Sequence, residues 1–402
     1  MVKMKRPFKL LVVQYLYLSG FIAHLLIFAL FVNQPHLFNK ITAKLHDTYY
    51  AWQKQHDFTV LTKGKTLTIS DEIELVFAAW QPQKALKTIA NKFEVDGVGF
   101  SDVSEAINAL SPGDELFIAA GTYNTPIIIN QDNITITGLG QVVFEKAVAD
   151  NKGFVVSKGN NLTINNIECR QIRARDGNGA CVRQEGENLT LNHVYFHQSQ
   201  QGVLETSRNG GVITINHSRF EQLGFNGRSH GIYTHTASAS VFQSLFVATK
   251  QQGHAIKVRG SKLTVNESII VSLSAEDSRL IDMPNGGDLN IASSLLGQGP
   301  KSANGQMIGY GLEGISKAKN SINLHDNIIY LERLGINYML TTPKNIKLSS
   351  LRQTNNIVIG SDRSLYKSEY NTYFIDRAEL GLPVYPRLPK TYCHNWSYCP
   401  IK

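Results

Sequence analysis

The chain has 402 residues, of which 42% are hydrophobic and 18% are charged, and its formal net charge is +8. This composition excludes an intrinsically disordered chain, a collagen and a multi-span transporter. The four cysteines are too few for a disulfide scaffold, and none of them forms a Cys-x-x-Cys pair that would indicate a zinc or redox site. Half of the net charge lies at the N-terminus, on Lys3, Lys5, Arg6 and Lys9.

A long uncharged segment follows these basic residues. Leu10–Val32 has 23 residues without a formal charge, LLVVQYLYLSGFIAHLLIFALFV, and as a helix it would be about 35 Å long, enough to cross a bilayer. We therefore predict one membrane-spanning helix, with a cleaved signal peptide as the alternative. The positive-inside rule predicts residues 1–9 in the cytoplasm and the bulk of the chain on the periplasmic or extracellular side.

The rest of the chain divides into three predicted segments after an anchor of residues 1–35. Residues 36–95 have mixed polar and aromatic composition, strand-like runs and a predicted helix near residues 82–92, and we interpret them as a stalk or small adaptor. Residues 96–362 are the predicted repeat domain. Near its start, Ser101-Asp-Val-Ser-Glu105 is a capping-box pattern that predicts a short helix ending at Ser111-Pro112-Gly113. Residues 363–402 are predicted to cap the last repeat, with binding of a partner as the alternative.

The predicted location is oxidising and permits disulfide bonds. Cys393 and Cys399 lie close together in the tail TYCHNWSYCP, which has no evident core of its own, and we predict a disulfide between them. Cys169 and Cys181 are predicted either to bridge neighbouring turns of the repeat or to be small buried residues.

A short alternating pattern recurs through residues 134–325. Its copies begin 24 to 33 residues apart, or about 50 apart where the degenerate copy Ala239-Ser-Val-Phe intervenes. The clear copies are Ile134-Thr-Ile-Thr, Leu162-Thr-Ile-Asn, Leu189-Thr-Leu-Asn, Ile213-Thr-Ile-Asn, Leu263-Thr-Val-Asn, Leu289-Asn-Ile-Ala and Ile322-Asn-Leu-His.

A second series has the same period of about 25 residues. Its members are Cys181-Val-Arg, Val203-Leu-Glu, Gly231-Ile-Tyr, Ala255-Ile-Lys, Leu280-Ile-Asp and Met307-Ile-Gly. Two or three short strands per repeat cannot bury their apolar faces alone, but stacked coils would bury a continuous interior. This predicts an all-β chain forming a parallel β-helix. The leucine-rich-repeat frame is absent, and the period is too short for propeller blades.

The run SDVSEAINALSPGDELFIAAGTY, followed by Asn-x-[Leu/Ile]-Thr-[Ile/Leu]-Asn coils, resembles the start of right-handed parallel β-helix proteins of the pectate-lyase-like superfamily. The resemblance covers residues 97 to about 360. It implies the fold, whereas the superfamily includes lyases, C5-epimerases, hydrolases, phage tailspikes and noncatalytic carbohydrate proteins.

Alternation within the second series predicts a polar outer surface. If the second residue of each triplet points inward, the third points outward, and this outward row is Arg183, Glu205, Tyr233, Lys257, Asp282 and Gly309. Two residues later the same face carries His235 and Arg259. His230 and His254 precede the small residues Gly231 and Ala255, which we expect to leave room for a ligand. Tyr310 and Glu313, in the Gly-rich segment that follows, are further candidate ligand contacts.

These residue types fit proton removal at C5 of a uronic acid. His235 or Tyr233 would be the base, and Lys257 or Arg259 would neutralise the enolate-like carboxylate. The arrangement is similar to alginate-type C5-epimerases, in which a His and an Arg lie one coil apart, although their Asp-Pro-His-Asp motif is absent here. We therefore predict catalytic roles for Tyr233, His235, Lys257 and Arg259, and substrate contacts for Arg183, Glu205, His230, His254, Asp282 and Tyr310.

The predicted function is a polysaccharide lyase or C5-epimerase acting on an acidic polysaccharide. The alternatives are a noncatalytic glycan-binding or assembly scaffold, and a glycoside hydrolase that uses Glu185 and Glu205. No cofactor is expected, with calcium bound by Glu205 or Asp282, or a metal at His230, His235 and His254, as lesser alternatives. The remaining charge of +4 is too small to indicate a nucleic-acid partner. The sequence leaves the sugar and the oligomeric state open.

Overall fold

Short strands that recur about every 25 residues stack into a parallel β-helix. The structure is a computed structural model that describes residues 6–34, 37, 41, 44–45, 67–393, 396 and 399–402. The chain forms two compact units, Met1–Gly64 and Lys65–Lys402. The predicted fold class is confirmed by the continuous parallel pairing of strands from successive coils.

The first unit contains the helix Arg6–Asn33. Its segment Val13–Asn33 is 21 residues long, apolar and unburied, so its length and composition allow it to cross a membrane. The predicted span Leu10–Val32 lies within this helix.

Each coil of the second unit contributes strands to three faces, which we call A, B and C. Face A consists of the first parts of Glu115–Tyr123 and Thr135–Glu145, and of Leu162–Asn165, Leu189–Asn192, Val212–Asn216, Ser238–Phe242, Lys262–Asn266, Asp288–Ala292, Ser321–His325 and Ser350–Thr354; the last residues of Glu115–Tyr123 pair on face B. Face B consists of the last part of Thr135–Glu145, Glu168–Arg170, Tyr195–His197, Arg219–Glu221, Leu245–Val247, Ile269–Val271, Leu295–Gln298, Ile328–Leu331, Ile357–Ile359 and Thr372–Phe374.

Face C consists of Ile127–Ile129, Gly153–Ser157, Ala180–Gln184, Gln201–Glu205, Ile232–Thr234, Ile256–Val258, Ile281–Met283, Gln306–Tyr310 and Tyr338–Thr341. Before the first coil, Phe93–Val95 and Val98–Phe100 form an antiparallel pair. The second unit also has helices Ile69–Val76 and Val103–Ala109, and 3-10 turns Ala378–Leu380 and Lys390–Cys393.

The predicted repeats fall into register on face A. Leu162, Leu189 and Ile213 are successive partners, and the same row continues through the degenerate copy at Ala239 to Leu263. All are buried in one core. An inward column on face B adds aromatic packing, because Phe196, Phe220 and Phe246 occupy successive coils. Burial of these rows is the main source of the stability of the stacked coils.

A second apolar core lies on the outer side of face B. Leu245, Ile269 and Leu295 face outward there, and they are covered by Ile73, Val76 and Phe77 from the N-terminal segment and by Leu388, Cys393 and Ile401 from the C-terminal segment. The two segments pair directly with each other at Phe77 and Ile401. The carboxylate of Glu72, which is fully buried, accepts hydrogen bonds from the Ser274 amide at 2.8 Å and the Tyr385 hydroxyl at 3.1 Å.

These contacts differ from the predicted segment boundaries. Residues 67–95 belong to the unit that contains the β-helix, whereas the predicted stalk extended from 36 to 95. The C-terminal segment adds strand Thr372–Phe374 to face B and then covers the outside of that face, where a cap on the last coil was expected. The physical reason is that the outer side of face B is apolar and requires a cover.

The local predictions for residues 58–113 have mixed outcomes. The short helix after Ser101 is confirmed as Val103–Ala109, with Asp102 as its N-cap. The helix predicted near residues 82–92 is wrong, because no helix is present there and Leu86 is 85% exposed. The helix in this region is instead Ile69–Val76, which has a capping box formed by Thr68 and Asp71. Most of the strand-like run 58–69 lies outside the described residues.

All four cysteines form disulfide bonds. The predicted Cys393–Cys399 bond is confirmed. Cys169 is bonded to Cys181, and this bond joins face B to face C within one coil, not across neighbouring coils.

The inner phenylalanine column should contribute strongly to stability. Phe220 is 2% exposed and contacts phenylalanine rings in both neighbouring coils. Phe220→Ala is expected to lower the free energy of unfolding by about 3–5 kcal/mol because it leaves a cavity. Urea unfolding of the full chain in detergent would measure this, with the exposed Leu86→Ala as the control. Equal unfolding midpoints for the two variants would contradict the packing described here.

Candidate functional site

The outer surface of face C carries the polar residues that the sequence analysis selected. The strand register places Arg183, Leu204, Tyr233, Lys257, Asp282 and Gly309 in one outward row. The inward row is Val182, Val203, Ile232, Ile256, Ile281 and Ile308. The expected outward residue is thus found in each of these six coils except that of Glu205.

The expected position of Glu205 is wrong by one residue. Val203 is the inward partner of Val182 and Ile232, so Leu204 points outward and Glu205 points inward. The buried Glu205 carboxylate accepts hydrogen bonds from the amides of His235 at 2.9 Å, Thr236 at 3.1 Å and Ala237 at 2.9 Å. It therefore fixes the turn after Tyr233 and does not face a ligand on the outer surface.

A connected group of charged and phenolic side chains occupies the middle of this surface. The Arg259 guanidinium donates to the Tyr233 phenolic oxygen at 2.9 Å, to Asn285 Oδ1 at 2.8 Å and to Glu313 Oε2 at 2.6 Å. The Lys257 ammonium donates to the other Glu313 oxygen at 2.9 Å. We call Tyr233, Lys257, Arg259 and Glu313 the face C cluster.

The Glu313 carboxylate joins the two cations from the solvent side. Its side chain is 46% exposed, whereas that of Lys257 is only 10% exposed. Burial acts to raise the pKa of Glu313, but hydrogen bonds from Lys257 and Arg259 outweigh it and lower that pKa. Burial acts to lower the pKa of Arg259, but hydrogen bonds to Tyr233 and Glu313 raise it above its ordinary value. Both groups are therefore ionised at neutral pH.

Asp282 supports the cluster from beneath. Its side chain is 1% exposed, and its oxygens lie 3.2 Å from Lys257 Nζ, 3.4 Å from Arg279 Nη1 and 3.7 Å from His254 Nε2. Cations and a ring nitrogen thus surround this carboxylate, which orients Lys257. Asp282 and the inward Glu205, which the sequence analysis gave as alternative calcium ligands, both have partners within the protein. Among the described residues, no group of three or more His, Cys, Asp or Glu side chains could hold a metal ion.

His230 and His254 stack on each other with ring centroids 4.8 Å apart. His230 Nδ1 accepts from the His254 amide at 3.0 Å, and His254 Nδ1 accepts from the Arg279 amide at 3.1 Å. Burial lowers the pKa of His230 well below its ordinary value and that of His254 to about 4. Both rings are therefore neutral with the proton on Nε2, so they can donate a hydrogen bond there but cannot act as a base.

The other predicted site residues lie at different places. His235 is exposed, and no hydrogen bond or ion pair joins its ring to the described residues of the face C cluster. Arg183 points outward two coils before Tyr233, beside Glu185 at 3.6 Å, and burial lowers its pKa. Tyr310 is fully buried and its hydroxyl donates to Gly287 O at 2.5 Å, so the expected ligand contact is wrong. Alternation from the inward Ile308 places Tyr310 inward.

The small residues before Tyr233 and Lys257 do not open a ligand space. Gly231 and Ala255 are buried, and a Cβ on Gly231 would lie 2.4 Å from Ala255 O. Gly231 is thus required by the close approach of two coils.

Sequence reasoning missed Arg279 and Asn285. Their side chains reach the site from just before and just after the strand Ile281–Met283, and they belong to no periodic pattern.

Comparisons with known proteins give similarity in fold only. No protein-family model matches the sequence, and a search of curated proteins found no match. The structure is similar to a pectin methylesterase from Aspergillus niger, with a TM-score of 0.42, 15% identity and coverage of 75% of this chain and 92% of that chain. It is similar to the pectate lyase Pel9A, with a TM-score of 0.42, 15% identity and coverage of 66% and 76%. It is also similar to the PL6 family alginate lyase AlyGC, with a TM-score of 0.34, 13% identity and coverage of 67% and 39%.

The buried histidine pair predicts a pH-dependent stability. His254 has a pKa of about 4 in the folded protein and about 6.5 in an unfolded chain. The unfolded state therefore binds more protons between these values, so the free energy of unfolding falls as the pH drops from about 6.5 to 4, by up to about 3 kcal/mol for this residue.

His254→Asn keeps an acceptor near the Nδ1 position but removes the titration. Its unfolding free energy, measured by urea from pH 7.5 to 4.5, should fall less steeply with acidification than that of the unmodified protein. Parallel pH profiles would contradict this assignment.

Proposed function

We propose that face C binds an acidic polysaccharide and removes the C5 proton of a uronic acid residue, as a lyase or an epimerase. The observation that carries the proposal is the pair of hydrogen bonds from Arg259, one to the Tyr233 phenol and one to the Glu313 carboxylate. The Arg259 guanidinium thus binds both a phenol and a carboxylate, and Lys257 binds the same carboxylate. In a uronic acid the carboxylate is attached to C5, the carbon that carries the reacting C–H bond, so a cation and a proton-transfer group must lie side by side to act on it.

In this proposal the Glu313 carboxylate marks the place of the substrate carboxylate. Lys257 and Arg259 would bind the sugar carboxylate and stabilise the charge that develops on it when the C5 proton leaves. Tyr233, whose oxygen accepts a hydrogen bond from Arg259, would take that proton as a phenolate or return one as a phenol. His235 points outward just after Tyr233 and is an exposed candidate for the second proton transfer. Whether a second group acts on the opposite face of the sugar decides between epimerisation and β-elimination.

Two other functions follow from particular features of the surface. A noncatalytic glycan-binding scaffold is supported by the mutual pairing of the charges, since Lys257 and Arg259 already have carboxylate partners. A glycoside hydrolase is less well supported. The two expected catalytic carboxylates, Glu185 and Glu205, do not face each other. Glu185 forms an ion pair with Lys152 at 2.7 Å, whereas Glu205 points into the interior.

The helix Arg6–Asn33 would hold the protein in a membrane. Its apolar segment is long enough to span, and the basic N-terminal residues precede it. We propose that the β-helix lies on the periplasmic or extracellular side, where acidic polysaccharides occur and disulfide bonds persist.

Three assays on a panel of uronic-acid polymers separate these functions. Absorbance from unsaturated uronate indicates a lyase, solvent deuterium at C5 an epimerase, and new reducing ends without absorbance a hydrolase. Tyr233→Phe removes the phenolic hydroxyl group and should lower kcat by about 10²–10⁴-fold. Tyr338→Phe, on another face C strand, is the matched control and should keep full activity. Binding to acidic polymers with all three signals silent would contradict the catalytic proposal and favour the scaffold.

Removal of the Glu313 charge tests whether the Glu313 carboxylate occupies the position of the substrate carboxylate. Glu313→Gln should lower KM or Kd for uronic-acid oligosaccharides by about three- to tenfold, because the competing carboxylate is removed while both cations remain. Calorimetric titration of the full chain would measure the change. Glu369→Gln, an exposed residue at another site, is the charge-matched control. Weaker binding by the Glu313 variant would show that this carboxylate contributes to the site instead of occupying the substrate position.

A further inference from the structure

A polar concavity lies at the corner between faces B and C. It has a volume of about 440 Å³ and is lined by Lys146, Gln171, Arg173, Gln198, Gln222 and Lys250. We call these six residues the corner surface. The lining thus combines three cations with three amides and includes no carboxylate.

The three glutamines form a column on successive coils. Gln171, Gln198 and Gln222 directly follow the face B strands, and each has a positive φ of 58°, 51° and 49° respectively. Their backbone amides donate to carbonyls of the next coil, which fixes the column to the coil spacing. This conformation directs the chain around the corner.

The side-chain amides of this column remain available for other partners. Elsewhere, asparagine side chains in stacked positions bond to each other, as Asn192 does to Asn165 and Asn216 does to Asn192, both at 2.9 Å. No such bond joins the side-chain amides of Gln171, Gln198 or Gln222 to one another or to other residues that the structure describes. The difference indicates that the glutamine column is not an internal ladder.

The cations of the corner surface are also incompletely paired. Lys146 contacts Glu145 at 2.9 Å, but the side chains of Arg173 and Lys250 form no ion pair or hydrogen bond within the described part of the chain. Burial, and then the charge of Arg173, lower the pKa of Lys250. Two cations that line one concavity without a carboxylate partner favour an anionic ligand.

We infer that the corner surface is a second binding site for an acidic polysaccharide, separate from the face C cluster. The cations would contact its charged groups, and the glutamine amides would donate to and accept from its hydroxyl groups. Successive coils are about 4.8 Å apart, which is comparable to the length of one pyranose residue, so neighbouring amides can contact neighbouring sugars. Lys250 belongs to the coil that also carries Lys257 and Arg259, which links the corner surface to the proposed catalytic coil.

The lining favours a polysaccharide over other polyanions. No aromatic side chain lines the corner surface for stacking on nucleic-acid bases. No apolar side chain lines it for insertion into a lipid headgroup layer either. Hydroxyl-rich anionic chains are the polyanions that use both the cations and the amides. The inference shares only the ligand class with the proposed function, and it does not require turnover.

Binding measurements on the full chain in phosphatidylcholine nanodiscs test this inference. The double variant Arg173→Gln/Lys250→Gln should bind polygalacturonate or alginate about tenfold more weakly than the unmodified protein and should lose part of the salt dependence. The control Lys347→Gln/Arg352→Gln removes the same charges from exposed positions in later coils and should bind normally. The triple variant Gln171→Ala/Gln198→Ala/Gln222→Ala should also bind several-fold more weakly while retaining the salt dependence.

The outcomes separate the corner surface from the face C cluster. Loss of polymer binding in the charge variant supports the inference whether or not the protein turns over a polymer. If no polymer is turned over, only the proposed function fails. Unchanged polymer binding in both the charge and the glutamine variants would overturn the inference while leaving the face C cluster untouched. A charge variant that loses binding to phosphatidylglycerol vesicles but not to either polymer would also overturn it, in favour of a membrane contact.

Discussion

The inward row of face C determines which side chains reach the outer surface. Val182, Val203, Ile232, Ile256 and Ile281 stack in register in the interior, and each is buried. Because strand side chains alternate, this row fixes Tyr233 and Lys257 on the outside in adjacent coils. A shift of one residue in any coil would exchange buried and exposed residues. The chemistry of the surface therefore depends on hydrophobic packing inside.

The charges of the face C cluster are held at a boundary between protein and solvent. Asp282 is buried beneath Lys257, whereas Glu313 covers Lys257 and Arg259 from a surface turn. The buried carboxylate is fixed by these contacts. In the proposed function a sugar carboxylate would replace the exposed one, so that both cations keep a carboxylate partner.

The repeats could be predicted from the sequence because each obeys a local alternation. Leu162, Leu189 and Ile213 are found in the expected register, and Tyr233, Lys257 and Arg259 are found together as expected. The error at Glu205 arose because Val203 and Leu204 are both apolar, so alternation alone did not distinguish the inward residue. Contacts between distant segments carry no such signal. Glu72 binds Ser274 and Tyr385 across more than two hundred residues, and the cover on face B depends on such contacts.

A crystal structure of the Glu313→Gln protein with a bound uronic-acid trisaccharide would show whether Lys257 and Arg259 bind a sugar carboxylate. We predict one sugar carboxylate within hydrogen-bond distance of both Lys257 Nζ and the Arg259 guanidinium, with C5 of that sugar facing the Tyr233 phenol. A trisaccharide bound with its carboxylates directed away from Lys257 and Arg259 would contradict it.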